Sequence, residues 1–277
     1  MPEINLPMKP RPAVQATPRR TILFSKPKTG KTVTVSKLPK CLILDFESGT
    51  LAIDALAMQI KVIGDIPKIC DAIKKAEYPY DYIAIDTASA LEEMCLPEAE
   101  RRWATSKDGE KWFLTDEKGD LHPKSGKATH GSVMNLPFGK GYALVAEIFT
   151  EVLTMIERCA PKIIILAHST YATINKEGAE FSSLDIMLGK KSKFSATFRA
   201  DAIGYIYRKG TQNYVNFTAS EDVGAGGRHR YLEKEHILLS EWVEDEKTGN
   251  EELVTYWDKI YAPKNSESTK KETSKKN

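Results

Sequence analysis

The sequence predicts an α/β fold: a mainly parallel central sheet flanked by helices, extended by a C-terminal antiparallel hairpin. Three observations carry this. Segments 22–24, 41–47, 80–87 and 162–168 contain nearly unbroken apolar runs, the pattern of strands buried on both faces. Stretches with apolar residues at helical spacing lie between them, as in Ile66, Ile69, Cys70 and Ile73. The later strands end in polar residues, Glu47, Asp86 and His168. In open parallel sheets ligands bind beyond those carboxyl ends.

Taken in order, residues 1–20 carry Pro2, Pro7, Pro10, Pro12 and Pro18 and read as an extended arm. The core is expected over 21–262. A helix is expected over 33–38, after the first strand and its loop. Ser48, Gly49 and Thr50 turn the chain after the second strand; a helix over 51–58 and a short strand over 60–63 are expected next. Asp65 reads as the N-cap of a helix over 66–77. A helix follows the strand at 80–87 from Ala88 to Met94, interrupted or kinked at Pro97. Residues 98–140 read as a long polar insertion with scattered aromatics, a feature that in compact domains is functional or disordered. Leu144, Ile148, Val152, Met155 and Ile156 form one stripe of a helix over 139–159. A loop of about twenty residues is expected after His168. Residues 202–207 and 214–217 alternate around Gly210, Thr211, Gln212 and Asn213, the signature of a hairpin. Residues 224–230 form a Gly-rich basic loop, 253–260 a terminal helix, and 263–277 a disordered tail.

The chain has 277 residues and a formal net charge of +2. That balance excludes global attraction to a polyanion, so a nucleic-acid partner would need a local basic patch. No apolar run is long enough to span a bilayer, and no membrane role is expected. The four cysteines, Cys41, Cys70, Cys95 and Cys159, match neither a zinc motif nor a disulfide framework. Buried thiols in a reducing cytoplasm are expected.

The first strand runs into Ser25, Lys26, Pro27, Lys28, Thr29, Gly30, Lys31 and Thr32. Strand, loop, Gly-Lys-Thr and helix is the order of a P-loop. Its backbone N–H groups curl around phosphate oxygens, and the helix start adds partial positive charge. Lys31 would reach the β/γ-phosphates and Thr32 would ligate Mg²⁺. Ser25 stands where the usual pattern begins with Gly. The alternative is a lysine-rich surface turn. Asp86 fits a second Mg²⁺ ligand or a helix N-cap. Glu47 fits a general base or a solvent-facing strand end. His168 fits a γ-phosphate sensor or an ordinary polar group.

This set resembles the RecA-like P-loop NTPase core. Asp45-Phe46-Glu47-Ser48 matches the place of the catalytic Glu, Ile83-Ala84-Ile85-Asp86 the metal-binding strand, and His168 the place of a sensor that is usually Gln. The chain is similar, more closely, to phage-encoded RecA-like proteins of the single-strand-annealing and recombination group, through its Leu-Ala-His-Ser and Arg-Ala-Asp-Ala-Ile-Gly segments. The resemblance implies an ATPase using ATP and Mg²⁺, with Glu47, Lys31 and His168 catalytic, DNA-dependent in its turnover. It implies single-stranded DNA held by the 98–140 and 169–193 segments, with Trp103, Trp112, Lys176, Lys190 and Lys191 as contacts. The two Trp residues would equally suit a small core within the insertion. It implies a homo-oligomer, ring or filament, with ATP between subunits and Arg228 or Arg230 reaching across. A single-strand DNA-binding protein is a further partner implied, and a host cytoplasm if the chain is phage-encoded. Outside that class stand a nucleotide-binding switch module with slow hydrolysis and no DNA role, and a small-molecule kinase.

Overall fold

The four long apolar runs, 22–24, 41–47, 80–87 and 162–168, each form a strand, because a strand in a sheet covered on both faces buries consecutive side chains on alternate sides. The computed structural model describes residues 8–9, 14–109, 113–115, 117, 121–123, 133–176, 179–220, 223–234, 236–244 and 249–262. The first half comprises β1 (Arg20–Ser25), α1 (Lys31–Ser36), β2 (Cys41–Asp45), β3 (Ala57–Gln59), α2 (Ile66–Lys75), β4 (Tyr82–Asp86), α3 (Ala88–Met94) and α4 (Leu96–Ala104). A small hairpin, β5 (Phe113–Thr115) and β6 (Leu121–Pro123), leads to α5 (Lys140–Ile156), β7 (Lys162–Lys176), β8 (Ala179–Ile186) and α6 (Lys190–Phe198). The chain closes with β9 (Ala202–Lys209), β10 (Gln212–Asn216), β11 (Gly226–Gly227), β12 (Ile237–Glu244), β13 (Glu251–Thr255) and α7 (Asp258–Tyr261).

The main sheet has the order β13-β12-β10-β9-β1-β7-β4-β2-β3. The strands from β9 to β3 are parallel, and β10, β12 and β13 add an antiparallel wing. One strand, β7, separates the loop-bearing β1 from β4 and its terminal acid. This is a mainly parallel, helix-flanked α/β architecture with an antiparallel wing.

Side chains alternate between two buried layers. Ile22, Phe24, Leu44, Ile85 and Ile165 face α2 to α6, and Phe149 of α5 is fully buried among them. Leu23, Ile43, Ala84, Ile164 and Leu166 face α1, α7 and the wing. That second layer is thin. The six-residue α1 packs on β2 and is also held from the far end of the chain: Trp257 Nε1 donates to Thr34 O at 3.1 Å, and Thr34 Oγ1 meets Ser240 Oγ at 3.0 Å.

Several expectations need correcting. The helix expected over 33–38 starts earlier, at Lys31, and ends at Ser36. Residues 51–58 are no α-helix but a 3₁₀ turn, Gly49–Ala52, followed by the edge strand β3, and 60–63 carry no strand. Asp65 sits at the start of α2, but its side chain caps no backbone N–H. Pro97 does not merely break a helix: it opens α4. The polar segment after His168 is not a loop, since β7 runs on and pairs with β8. Residues 253–260 split into β13 and the short α7. The tail at 263–277 and most of the arm at 1–20 lie outside the described residues.

Replacing Trp257 by Ala removes a buried indole and the donor to Thr34. Unfolding in urea is expected to show a loss of about 3–5 kcal/mol, and Trp257→Phe a smaller one.

Candidate functional site

Parallel register brings the expected residues to one edge. Ser25 pairs with His168 across β1 and β7, and Asp45 with Asp86 across β2 and β4. The connecting loop, 26–30, rises from that edge and ends at Gly30, whose φ of 98° is left-handed. A side chain there would be strained, and its Cβ would stand 3.2 Å from Asn213 Nδ2. Ser25 in place of Gly causes no difficulty, because Ser25 completes a buried extended strand. Its hydroxyl accepts from Lys31 Nζ at 2.9 Å. Thr29 Oγ1 donates to Lys26 O at 2.7 Å and closes the loop, while Lys26, Pro27 and Lys28 face outward.

Lys31 is buried, and burial lowers its pKa against the opposing pull of Asp86 and Glu47. Thr32 Oγ1 donates to Asp86 Oδ2 at 2.5 Å. Burial pushes the Asp86 carboxyl upward; the Thr32 hydroxyl and Lys31 oppose this, and the neighbouring charges of Glu47 and Asp45 add to it. A hydroxyl and a carboxylate are hard oxygen donors, the kind Mg²⁺ takes alongside phosphate and water. Thr32 and Asp86 therefore fit that ion; no cluster of three or more His, Cys, Asp or Glu suited to a metal occurs among the described residues.

Glu47 lies one residue beyond Phe46, whose N–H donates to Asp86 O at 2.7 Å. Its Oε1 accepts from Thr87 Oγ1 and sits 2.9 Å from His168 Nε2. The Asp86–Thr87 peptide is cis. His168 Nδ1 is buried with no partner among the described residues. Its carbonyl accepts from Met187 N at 2.8 Å, which ties the far end of β8 back to the strand tip.

Three residues of the site were not singled out from sequence. Asp45, only 1% exposed, accepts from the N–H groups of Glu47, Gly49 and Thr50 and from Thr50 Oγ1 at 2.5–3.2 Å. It shapes the turn that carries Glu47. Burial raises its carboxyl pKa, but these bonds outweigh burial and the net direction is down. Asn213, expected in a turn, belongs to β10 and supports Gly30 from behind, with Nδ2 3.1 Å from Ser240 Oγ. Thr87 caps α3 and also holds Glu47. An Asp followed five residues later by Thr was a readable signal for the first; the other two depend on pairing between distant strands.

The remaining expected residues are dispersed. Trp103 is half-buried against the core, with Lys140 Nζ 5.7 Å from its ring centroid. Lys190 and Lys191 are exposed at the start of α6, beside an apolar cavity of about 540 Å³ lined by Leu96, Phe138 and Tyr142. Trp112 and the side chain of Lys176 lie outside the described residues. Arg228 is bound at the amino edge of the sheet, its guanidinium 3.4 Å from Asp201 Oδ1, and Arg230 is exposed in the following 3₁₀ turn. Both are at the opposite end of β9 from the phosphate loop. The cysteines are free: Cys41, Cys95 and Cys159 are buried and Cys70 is half-buried. Burial pushes the Cys41 and Cys95 thiols up to about 12. No helix among the described residues is long and apolar enough to cross a membrane.

A family described as the AAA domain matches residues 17–229. A search of the curated proteins finds no match. Among solved structures, the chain is similar to a KaiC-like protein of Pyrococcus horikoshii, with 10% identity, a TM-score of 0.38, and 86% of this chain and 89% of that one covered. It is also similar to the flagellar accessory protein FlaH of Methanocaldococcus jannaschii, with 11% identity, a TM-score of 0.35, and 86% and 90% covered.

Asp45 gives a pH prediction. Its folded pKa lies below its unfolded value of about 3.9. The stabilisation is therefore full above that value and is lost as pH falls through the lower, folded one. Asp45→Asn is expected to cost on the order of 2 kcal/mol at neutral pH. It should also flatten the acid limb of a stability-versus-pH curve followed by circular dichroism.

Proposed function

The chain belongs to the AAA-domain family, and on that premise we propose that it is an ATPase that binds single-stranded DNA and supports annealing or recombination. The observation that carries the ATPase reading is the gathering of Lys31, the Thr32–Asp86 pair and the Glu47–His168 pair on one sheet edge. Lys31 would turn from Ser25 to the β/γ-phosphates. Thr32 and Asp86 would hold Mg²⁺, which neutralises charge on the phosphate oxygens when bound. Glu47 would take a proton from the attacking water, with Thr87 and His168 fixing its carboxylate. His168, on the strand between loop and acid, would respond to the γ-phosphate.

The DNA part of the reading is supported by the resemblance of the sequence and by the lysines after His168. A homo-oligomer, with Arg228 or Arg230 of one subunit serving the nucleotide of the next, is part of the same proposal. Both arginines lie at the sheet edge away from their own phosphate loop. A single-strand DNA-binding protein as partner, and a cytoplasmic site of action, complete it. One observation favours the second reading, a nucleotide switch with slow turnover: the Glu47 carboxylate is already engaged by two neighbours.

ATP turnover measured with and without single-stranded DNA separates these. Wild type is expected to turn over faster with DNA, and Lys31→Ala to lose turnover with its fold intact. Glu47→Gln should keep ATP binding and lose about 10²–10⁴ in kcat. Normal turnover by Glu47→Gln would assign the base elsewhere. Unstimulated turnover together with no DNA binding would favour the switch.

Asp86→Asn offers an independent check by thermal shift. The variant protein should keep its melting temperature without ligand but lose most of the upward shift that Mg²⁺ and ATP give wild type.

A further inference from the structure

The face of the sheet turned away from α1 carries a row of aromatic rings that the site described above does not use. Tyr205 and Tyr207 follow one another on the same side of β9, and Tyr214 lies opposite Tyr207 in the β9–β10 register. The Tyr205 and Tyr207 ring centroids are 6.1 Å apart with planes at 20°; Tyr207 and Tyr214 are 5.8 Å apart at 16°. All three are half-buried. The row is anchored at its inner end, where Tyr205 packs 5.4 Å from the fully buried Phe24 at the end of the phosphate-loop strand. His236 closes one side, edge-on to Tyr207 at 5.8 Å and hydrogen-bonded to its hydroxyl.

Cations stand at both ends. Lys209, exposed at the hairpin tip, places Nζ 5.6 Å from the Tyr207 centroid and 5.9 Å from that of Tyr214. Lys26, in the phosphate loop itself, lies 6.0 Å from the ring of Tyr171, which is 62% exposed on β7. Glu241, a carboxylate beside this row, is occupied by Gln212 and Tyr256.

We propose that the Tyr205–Tyr207–Tyr214 row is a stacking platform for a single-stranded nucleic acid, with Lys26 and Lys209 taking its phosphates. Near-parallel rings on a sheet face, half-buried and in sequence, suit successive unpaired bases, which stack without regard to identity. Lysines at both ends suit the backbone of such a strand. A single nucleotide base would need one ring; three in a row span several bases. The row starts beside β1, where Tyr205 pairs with Phe24, so a bound strand would lie beside the loop proposed to hold the phosphates of ATP. This inference rests on the DNA-binding reading above and moves its stacking surface from Trp103 to β9 and β10.

The test is fluorescence anisotropy of a labelled oligo(dT) with the full chain, beside a titration of a fluorescent ATP analogue. The Tyr207→Ala and Tyr214→Ala double variant is expected to bind the oligonucleotide about tenfold or more weakly. The corresponding Phe variants should bind as wild type does, since they keep the ring. ATP affinity should be unchanged throughout. Lys209→Ala, at an exposed tip that no core residue needs, should lower the salt slope by about one, which keeps the test informative if the double variant fails to fold. Wild-type oligonucleotide affinity and salt slope in all these variants would overturn the platform and leave the DNA reading standing. Loss of ATP affinity with DNA binding intact would overturn it by making the row a base pocket for the nucleotide. Failure of wild type to bind the oligonucleotide at low salt would overturn both.

Discussion

Parallel register is the constraint on which the site depends. Thr21 to Phe24 align with Ile164 to Ala167 on one side and with Ala202 to Tyr205 on the other. Tyr82 to Asp86 align with Lys162 to Leu166 and with Cys41 to Asp45. Each pairing sends its strand's carboxyl end to the same edge. A shift of one residue would exchange the two buried faces of that strand, turning Ile85 toward the thin layer and moving Asp86 away from Thr32. The apolar layers therefore set the position of the polar groups. Hydrogen bonds such as Thr32 to Asp86 only complete what packing has aligned.

The same register explains why His168 is more than a residue at a strand end. The strand that carries it continues without a break into the β7–β8 hairpin, and Met187 returns to its carbonyl. A displacement at His168 would be passed along a continuous hydrogen-bonded ribbon rather than a slack loop. Tyr171, three residues beyond His168, is close to Lys26 of the phosphate loop. The hairpin and the loop thus flank the tyrosine row from the same end.

What could be read from sequence followed from burial. Runs such as Ile163 to Ala167 are buried from end to end, so composition alone marks them as strands. Glu47, Asp86 and His168 could be picked out because they sit where those runs stop, and Lys31 and Thr32 because they follow the loop after the first run. The β7–β8 extension was not. It stands off the core, and residues such as Ser169, Thr170 and Thr173 give it no apolar period to detect. The helix expected over 51–58 failed for the opposite reason. Leu51, Leu56 and Met58 look like core residues but are 75%, 58% and 42% exposed, on a turn and an edge strand. Residues 253–260 are too short for either period to declare itself: Leu253 and Trp257 are both buried, one from a strand and one from the turn into α7. The tyrosine row was half legible, since its hairpin was expected, but the alignment of Tyr207 with Tyr214 depends on the length of the turn.

The support of α1 by Trp257 has a consequence for how the protein comes into being. The two partners, Thr34 and Trp257, are 223 residues apart. The phosphate loop is among the first parts of the core to be synthesised, yet its helix acquires that support only when the last strand and turn have been made. Contacts of such span are closed late and slowly, because the chain between them must be ordered first. A growing chain therefore carries its Gly-Lys-Thr segment on the packing of α1 against β2 and the first 3₁₀ turn alone for most of its synthesis. The segment from β12 to α7 is thus what finishes the helix that begins with Lys31 and Thr32.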